Sequence, residues 1–355
     1  MSQLTEISIV TKKLAIGFVL VFISYILVKL LFDASIAYWK AMHPIPLYPP
    51  QEEFGKLPTP KFTHVATSSS GLKFKLENVE GLPIKTATSA SRVYYMPKKL
   101  PSLLAAQKAR DFAIKLGFKN KENPLTSTYY RYIDPEDRFR TLEIDINNMN
   151  FKVQYDYESN PSVFTGDTIQ SKEQALTEVK NFIQFSGIFD GSILNGNVTT
   201  ANLFYDTQTK TASVASSLSN TNLMRINYFR KDLDNEKILP PAFKESYNFA
   251  LFTPADAPNK RILKLSYTFW PIAFDNFGTY PLRSSQMAWQ DLVDGYAFVV
   301  KLGNNNADKQ IKIRNIYLAY YDSEEQQSYL QPIYVFEGNN DFVAYLPAIV
   351  SDWLE

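Results

Sequence analysis

The chain holds 355 residues, 45% of them hydrophobic and 21% charged, which admits a packed core and excludes wholesale disorder. Lys and Arg number 37 against 36 Asp and Glu, so no basic field is available for a phosphate backbone and nucleic acid is a poor partner. Cysteine is absent, which removes disulfides, thiolate nucleophiles and Cys-ligated zinc, and only His43 and His64 carry an imidazole.

Residues 1–13 read as a short cytoplasmic N-terminus. Leu14 to Phe32 follows as LAIGFVLVFISYILVKLLF, a run that matches the hydrocarbon thickness of a bilayer at the α-helical rise. Lys29 is its one charge, close enough to the end for its stem to carry the ammonium to the headgroups. Lys12 and Lys13 precede the run, and Tyr38 and Trp39 stand where an aromatic belt sits, so the bulk of the chain is expected outside the cytoplasm. The competing reading is a cleaved signal, with Ser35-Ile36-Ala37 as the small-residue site, but the apolar run exceeds the usual 7–15 residues. Residues 33–70 carry Pro44, Pro46, Pro49, Pro50, Pro58 and Pro60 and read as a semi-rigid spacer.

Three segments then share one helical spacing. Residues 101–117 put Ala105, Ala109, Phe112 and Leu116 on a single face, with Pro101 suited to a first turn and Gly117 to the end. Residues 171–187 repeat the steps with Ala175, Val179, Phe182 and Ser186; Ser171 and Gln174 suggest a capping box, and Gly187 a C-cap. A shorter copy at 284–295 aligns Ala288 and Leu292 before Gly295. Alanine in the same slot of each helix implies close approach to a sheet.

Strands fill the intervals. Ser127 to Ile133 is one. Leu142, Ile144 and Ile146, then Phe151, Val153 and Tyr155, alternate around Asn147-Asn148 as a half-buried hairpin. NLFYDTQTKTASV forms a second hairpin around Asp206 to Lys210, Leu263 to Ile272 a long strand, and the C-terminal strands turn at Glu337 to Asp341. The expected class is α+β: one transmembrane helix, then helix-on-antiparallel-sheet modules at 71–165, 166–245 and 246–355.

The stretches PLRSSQMAWQDLVDGYAFVV (281–300) and IRNIYLAYYDSEEQQSYLQPIYVFEG (313–338) resemble the C-terminal module of PepSY-like domains in the membrane-anchored YycH/YycI-type regulators. That family restrains a sensor histidine kinase, and the resemblance implies action by binding rather than by catalysis.

Chemistry is sparse. His43 and His64 lie outside any strand–helix framework, so no Ser-His-Asp set is expected; a Ser-Lys dyad stays open. Glu136-Asp137 and Glu324-Glu325 read as solvated loop charge. Asp232 to Glu236 alternates oxygens but lacks the glycine of a calcium loop. Asn197-Val198-Thr199 fits a glycosylation acceptor. No cofactor or metal site is expected. Trp270, Trp289, Tyr320, Tyr321 and Tyr329 are the candidate residues for a ligand or partner surface. The expected role is a membrane-anchored, extracytoplasmic binding or regulatory protein, holding the lipid bilayer through residues 14–32 and contacting an envelope protein. A structural subunit of an envelope assembly, and then an envelope hydrolase, are the alternatives.

Overall fold

The computed structural model describes residues 17–36, 51–63, 67–77, 89–164, 168–305 and 310–355. The chain divides into two units, Met1–Tyr48 and Pro49–Glu355.

The first unit contains helix α1, Gly17–Ile36, with mean hydropathy 2.1 and none of it buried against protein. Twenty residues give a rod of about 30 Å, long enough to cross a hydrocarbon core. The helix passes the expected end at Phe32 by four residues, and Ser35 turns its hydroxyl back to the Phe32 carbonyl (2.8 Å). Leu14 to Ile16 and Tyr38-Trp39 lie outside the described residues.

The second unit is α+β, with two nine-stranded and mainly antiparallel sheets. Its leading strands are β1 (Thr67–Ser68), β2 (Lys73–Leu76) and β3 (Ala90–Tyr95). Helix α2 (Ala105–Lys115) follows, then β4 (Asn123–Pro124), β5 (Tyr129–Ile133), β6 (Arg140–Asp145) and β7 (Phe151–Tyr155). Next come α3 (Lys172–Ser186), a one-turn α4 (Gly191–Leu194), β8 (Val198–Asp206), β9 (Thr211–Val214) and β10 (Leu223–Tyr228). Strands β11 (Lys237–Leu239), β12 (Phe249–Phe252), β13 (Ile262–Tyr267) and β14 (Ala273–Pro281) lead to α5 (Ser285–Val293). The chain closes with β15 (Phe298–Lys301), β16 (Gln310–Tyr321), β17 (Tyr329–Gly338) and β18 (Val343–Pro347).

Each of the three alanine-bearing helices precedes a set of antiparallel strands. One sheet has the order β4-β5-β6-β7-β13-β12-β10-β8-β9, so the strands after α2 and those after α3 meet at the β7–β13 pairing, where Val153 opposes Leu265. This sheet takes strands from both sides of residue 165 and of residue 245, the junctions read from sequence. In the other sheet the strands after α5 run β15-β18-β17-β16, and β2 and β11 join β16 in parallel.

The helical faces bury the residues that the spacing selects. Ala105, Ala109, Phe112, Leu116, Ala175 and Val179 enter one core with Leu142, Ile144, Val153 and Leu265. Phe112 meets Phe151 edge-on at 4.9 Å. Ala288 and Leu292 enter the core of the other sheet beside Val299, Ile313, Tyr334 and Phe336. At an alanine position the helix backbone lies close to the strands, and any longer side chain would push the two layers apart.

The helix ends correct the sequence reading in two places. Helix α2 starts at Ala105, after a turn in which the Ala105 amide donates to the Ser102 carbonyl (2.9 Å), so Pro101 precedes the helix instead of opening it. Ser171 caps α3, accepting from the Gln174 amide at 3.2 Å, but the Gln174 side chain turns forward to Glu178 (3.0 Å), leaving half a capping box. Ser171→Ala should therefore lower stability by about 1 kcal/mol, the usual worth of one N-cap. Thermal unfolding at matched concentration checks this; an unchanged midpoint would mean that water caps the helix equally well.

The expected spacer also changes character. His43 and the prolines up to Pro50 lie outside the described residues, yet residues 51–63 are packed into the second unit. Leu57 is buried, its amide donates to the Trp353 carbonyl and its carbonyl accepts from the Glu355 amide, both at 2.9 Å. Gln51 bridges Thr279, and Phe62 packs against the cluster of Tyr321 and Tyr345. Two apolar residues with sockets, Leu57 and Phe62, together with backbone bonds to Trp353 and Glu355, turn this stretch into part of the fold.

Candidate functional site

Among the described residues of the second unit, polar side chains gather at several places. The deepest joins the two sheets. Arg230, just after β10, donates from Nε to Asp322 Oδ2 (2.8 Å) and from a terminal nitrogen to the Trp270 carbonyl (2.8 Å). Tyr247 donates its hydroxyl to the same Asp322 oxygen at 2.5 Å, and Phe269 lies under the guanidinium at 4.5 Å. Arg230, Asp322, Tyr247 and Trp270 are all buried. Burial works against the Arg230 charge, but Asp322 more than offsets it and the pKa moves up. Burial and then the Asp322 charge hold the Tyr247 phenol well above its ordinary range. A guanidinium so paired is a structural tie, with no proton to exchange near neutral pH.

The second cluster surrounds Asp234, which sits in a left-handed turn with Asn235 (φ 54° and 67°). Its carboxylate accepts from the Tyr94 hydroxyl (2.5 Å), the Tyr320 hydroxyl (3.2 Å) and Arg92 (3.3 Å). Tyr94 is pushed up to about 12, first by burial and then by its bond to Asp234. Glu236 nearby is also raised, by burial and by repulsion from Asp232 and Asp234. The acidic run at 232–236 thus spends its central carboxylate on phenols and a guanidinium.

The third is a cavity of about 340 Å³ between the ends of α2 and α3, lined by Gly117, Lys119, Asp134, Glu136, Arg140 and Phe182 among others. Arg140 and Asp134 form a buried ion pair at 2.8 Å, and Arg140 also donates to the Leu116 carbonyl at 3.2 Å. Both charged groups at its floor are therefore engaged with each other and with the helix end. A shallower cavity of about 420 Å³ lies beside Arg283, Asp291, Tyr296 and Phe298.

The fourth place lies on the sheet face opposite α2 and α3. Lys264 and Arg225 both stand over the Phe249 ring, at 5.0 and 3.8 Å. Burial, then repulsion from Lys152 and Arg225, lowers Lys264 to about 8, with Glu324 opposing. The folded chain therefore holds fewer protons than the unfolded one between pH 8 and the ordinary lysine range, so stability should climb as pH rises through that window. Denaturation midpoints from pH 7 to 10 should show this rise, and Lys264→Met should flatten it; a flat profile in the parent chain would deny the shift.

Among the described residues, no three His, Asp or Glu side chains converge to hold a metal ion, and His43 and His64 lie outside the described residues. The five candidate aromatics do not form one surface. Trp270 and Tyr320 share a buried cluster with Tyr94 and Leu330, and Trp270 Nε1 donates to the Glu324 carbonyl at 3.0 Å. Tyr321 is buried against Phe62 at 4.7 Å, its hydroxyl accepting from the Thr63 amide. Tyr329 is half-buried against Phe54 (4.9 Å), and Trp289 is half-buried on α5 over a different part of the same sheet. Three of the five are therefore core, because a sheet of this size fills its interior with its largest apolar side chains. Arg230, Tyr247 and Lys264 carry no local signal in the sequence, and Asp234 shows there only as the centre of an acidic run. An arginine gives no hint of an aspartate 92 positions away until the strands are paired.

No family model and no curated protein matches the sequence. Among solved structures, the chain is similar to an uncharacterized protein from Eubacterium rectale ATCC 33656, at 11% identity and a TM-score of 0.42, over 73% of this chain and 82% of that one. It is also similar to the Bacillus megaterium YpeB C-terminal domain, at 13% identity and a TM-score of 0.30, over 72% and 95%. Likenesses this distant assign no role.

Proposed function

We propose that this chain is a single-pass membrane protein whose second unit works outside the cytoplasm as a non-catalytic binding or regulatory module for another envelope protein. The observation that carries the reading is α1, twenty residues of mean hydropathy 2.1 ahead of a packed α+β body. Lys12 and Lys13 on its N-terminal side favour an N-in orientation. The deepest charges of the body add support: Arg230 and Asp322 are spent on an internal tie away from any open cleft, and where Arg140 and Asp134 line a cavity they are paired with each other. A PepSY-like relation is part of the proposal, supported by three helices that each lead into antiparallel strands, after Ala105, Ala175 and Ala288.

Because the chain has no cysteine, topology is testable with single-cysteine variants. In intact cells a membrane-impermeant maleimide should label Ser213→Cys, on the exposed β9, and should label Ser2→Cys only after lysis. The opposite pattern would invert the topology and remove the role. Crosslinking in the same cells, read by mass spectrometry, should return one membrane protein reproducibly. Several proteins at fixed ratio would favour a structural subunit, and no reproducible capture would defeat the binding reading.

A further inference from the structure

Between β3 and α2 the chain makes a basic, leucine-rich projection. Its root is fixed: the Met96 amide donates to the Ser328 carbonyl (2.8 Å) and Ala105, the first residue of α2, is buried in the core. Between them Leu100, Leu103 and Leu104 are 85, 105 and 62% exposed. Lys98 and Lys99 are exposed beside them, and no Asp or Glu occurs from Met96 to Arg110. Lys99 donates to the Asn148 carbonyl at 3.2 Å, which braces the loop against the β6–β7 turn. Pro97 and Pro101 stiffen its two sides.

Three leucines held in water at the tip of a braced loop are unfavourable unless something apolar covers them. We infer that the loop of residues 98–104 rests on an anionic bilayer surface, its leucines at the acyl boundary and its lysines at the headgroups. Two features select a bilayer over a protein as the occupant. The loop's own stretch from Met96 to Arg110 carries Lys98, Lys99, Lys108 and Arg110 and no Asp or Glu, a charge that complements an anionic lipid surface. The chain also keeps a bilayer within reach, because residues 37–50 extend about 50 Å at most between α1 and the first bridged residue, Gln51. Confined that closely, the loop meets the surface at high effective concentration, so weak contacts suffice.

This inference rests on α1 being a membrane anchor, and the test separates the two. Full-length chain carrying Leu103→Cys, or Val214→Cys as a control that is also highly exposed (84%), is labelled with an environment-sensitive fluorophore and placed in phospholipid nanodiscs. In discs containing anionic phospholipid, the label at 103 should shift blue, brighten ~twofold and be quenched by headgroup spin-labelled lipid, while the label at 214 stays unchanged. Adding Lys98→Glu, which leaves the Lys99 brace to Asn148 in place, should sharply weaken the dependence on anionic lipid. Equal emission at 103 in zwitterionic and anionic discs would overturn the inference, as would a shift seen only in crude membranes, which would assign the loop to a protein. A chain that fails to co-purify with discs would refute the anchor itself.

Discussion

Arg230→Met should lower the stability of the second unit by about 3–5 kcal/mol, because it leaves the buried Asp322 carboxylate without its counter-charge. Arg230 leaves one sheet after β10, and Asp322 leaves the other after β16. Their contact at 2.8 Å, shared by Tyr247 and the Trp270 carbonyl, ties the sheets at a point where water is excluded. Methionine fills much of the same volume, so packing is largely kept and the loss reports the unpaired Asp322. Replacing both partners, as Arg230→Met with Asp322→Leu, should restore part of the stability, since the penalty of the unpaired charge disappears while the Tyr247 hydroxyl and the Trp270 carbonyl lose these partners. Denaturant midpoints of the detergent-solubilised chain, followed by tryptophan emission, measure both. If the single variant unfolds at the parent's midpoint, the pair contributes nothing to joining the sheets.

Gly196→Ala should lower stability by about 3 kcal/mol, although Gly196 stands on a short loop where alanine is usually harmless. The loop from α4 into β8 lies directly on the segment that carries Arg230. The Phe229 amide donates to the Asn197 carbonyl (2.9 Å) and the Lys231 amide to the Ser192 carbonyl (2.8 Å). A methyl group on Gly196 would overlap the Phe229 carbonyl oxygen and press on the Arg230 carbonyl carbon, and a backbone so bonded has no side chain to swing away. Gly191→Ala is the control: the added carbon would meet only Asn195 Nδ2, at 3.8 Å, and should change stability little. Equal behaviour of the two variants would show that the 229–231 segment yields, and that the sheet junction is softer than its hydrogen bonds imply.

Legibility in the sequence followed the range of the interaction involved. The Asn147-Asn148 turn falls between β6 and β7 as its polar residues suggest, but the left-handed position is taken by Met149 (φ 62°), a residue type that rarely adopts it. The face of α3 was read correctly at Ala175 and Val179, but Ile183 is more deeply buried than the expected Phe182, one position around the helix. The aromatic candidates failed for a different reason. Tyr320 and Tyr321 are consecutive, so they point to opposite faces of β16, and an ordinary edge strand would leave one outside. Both are buried because β16 is covered on both sides, by the cluster around Trp270 and by the one around Phe62.

The amino-acid sequence by itself determined α1, the alanine faces of α2, α3 and α5, the Ser171 cap and the turns between neighbouring strands. Each depends on hydropathy, side-chain periodicity or local dihedral preference within about a dozen residues. Only the tertiary structure decided that β7 pairs with β13, that residues 51–63 pack beside the C-terminus, and that Arg230 finds Asp322. Those choices select among many equally apolar strands and unpaired charges. The selection is made by shape and desolvation summed over the whole body, quantities that no short stretch of sequence contains.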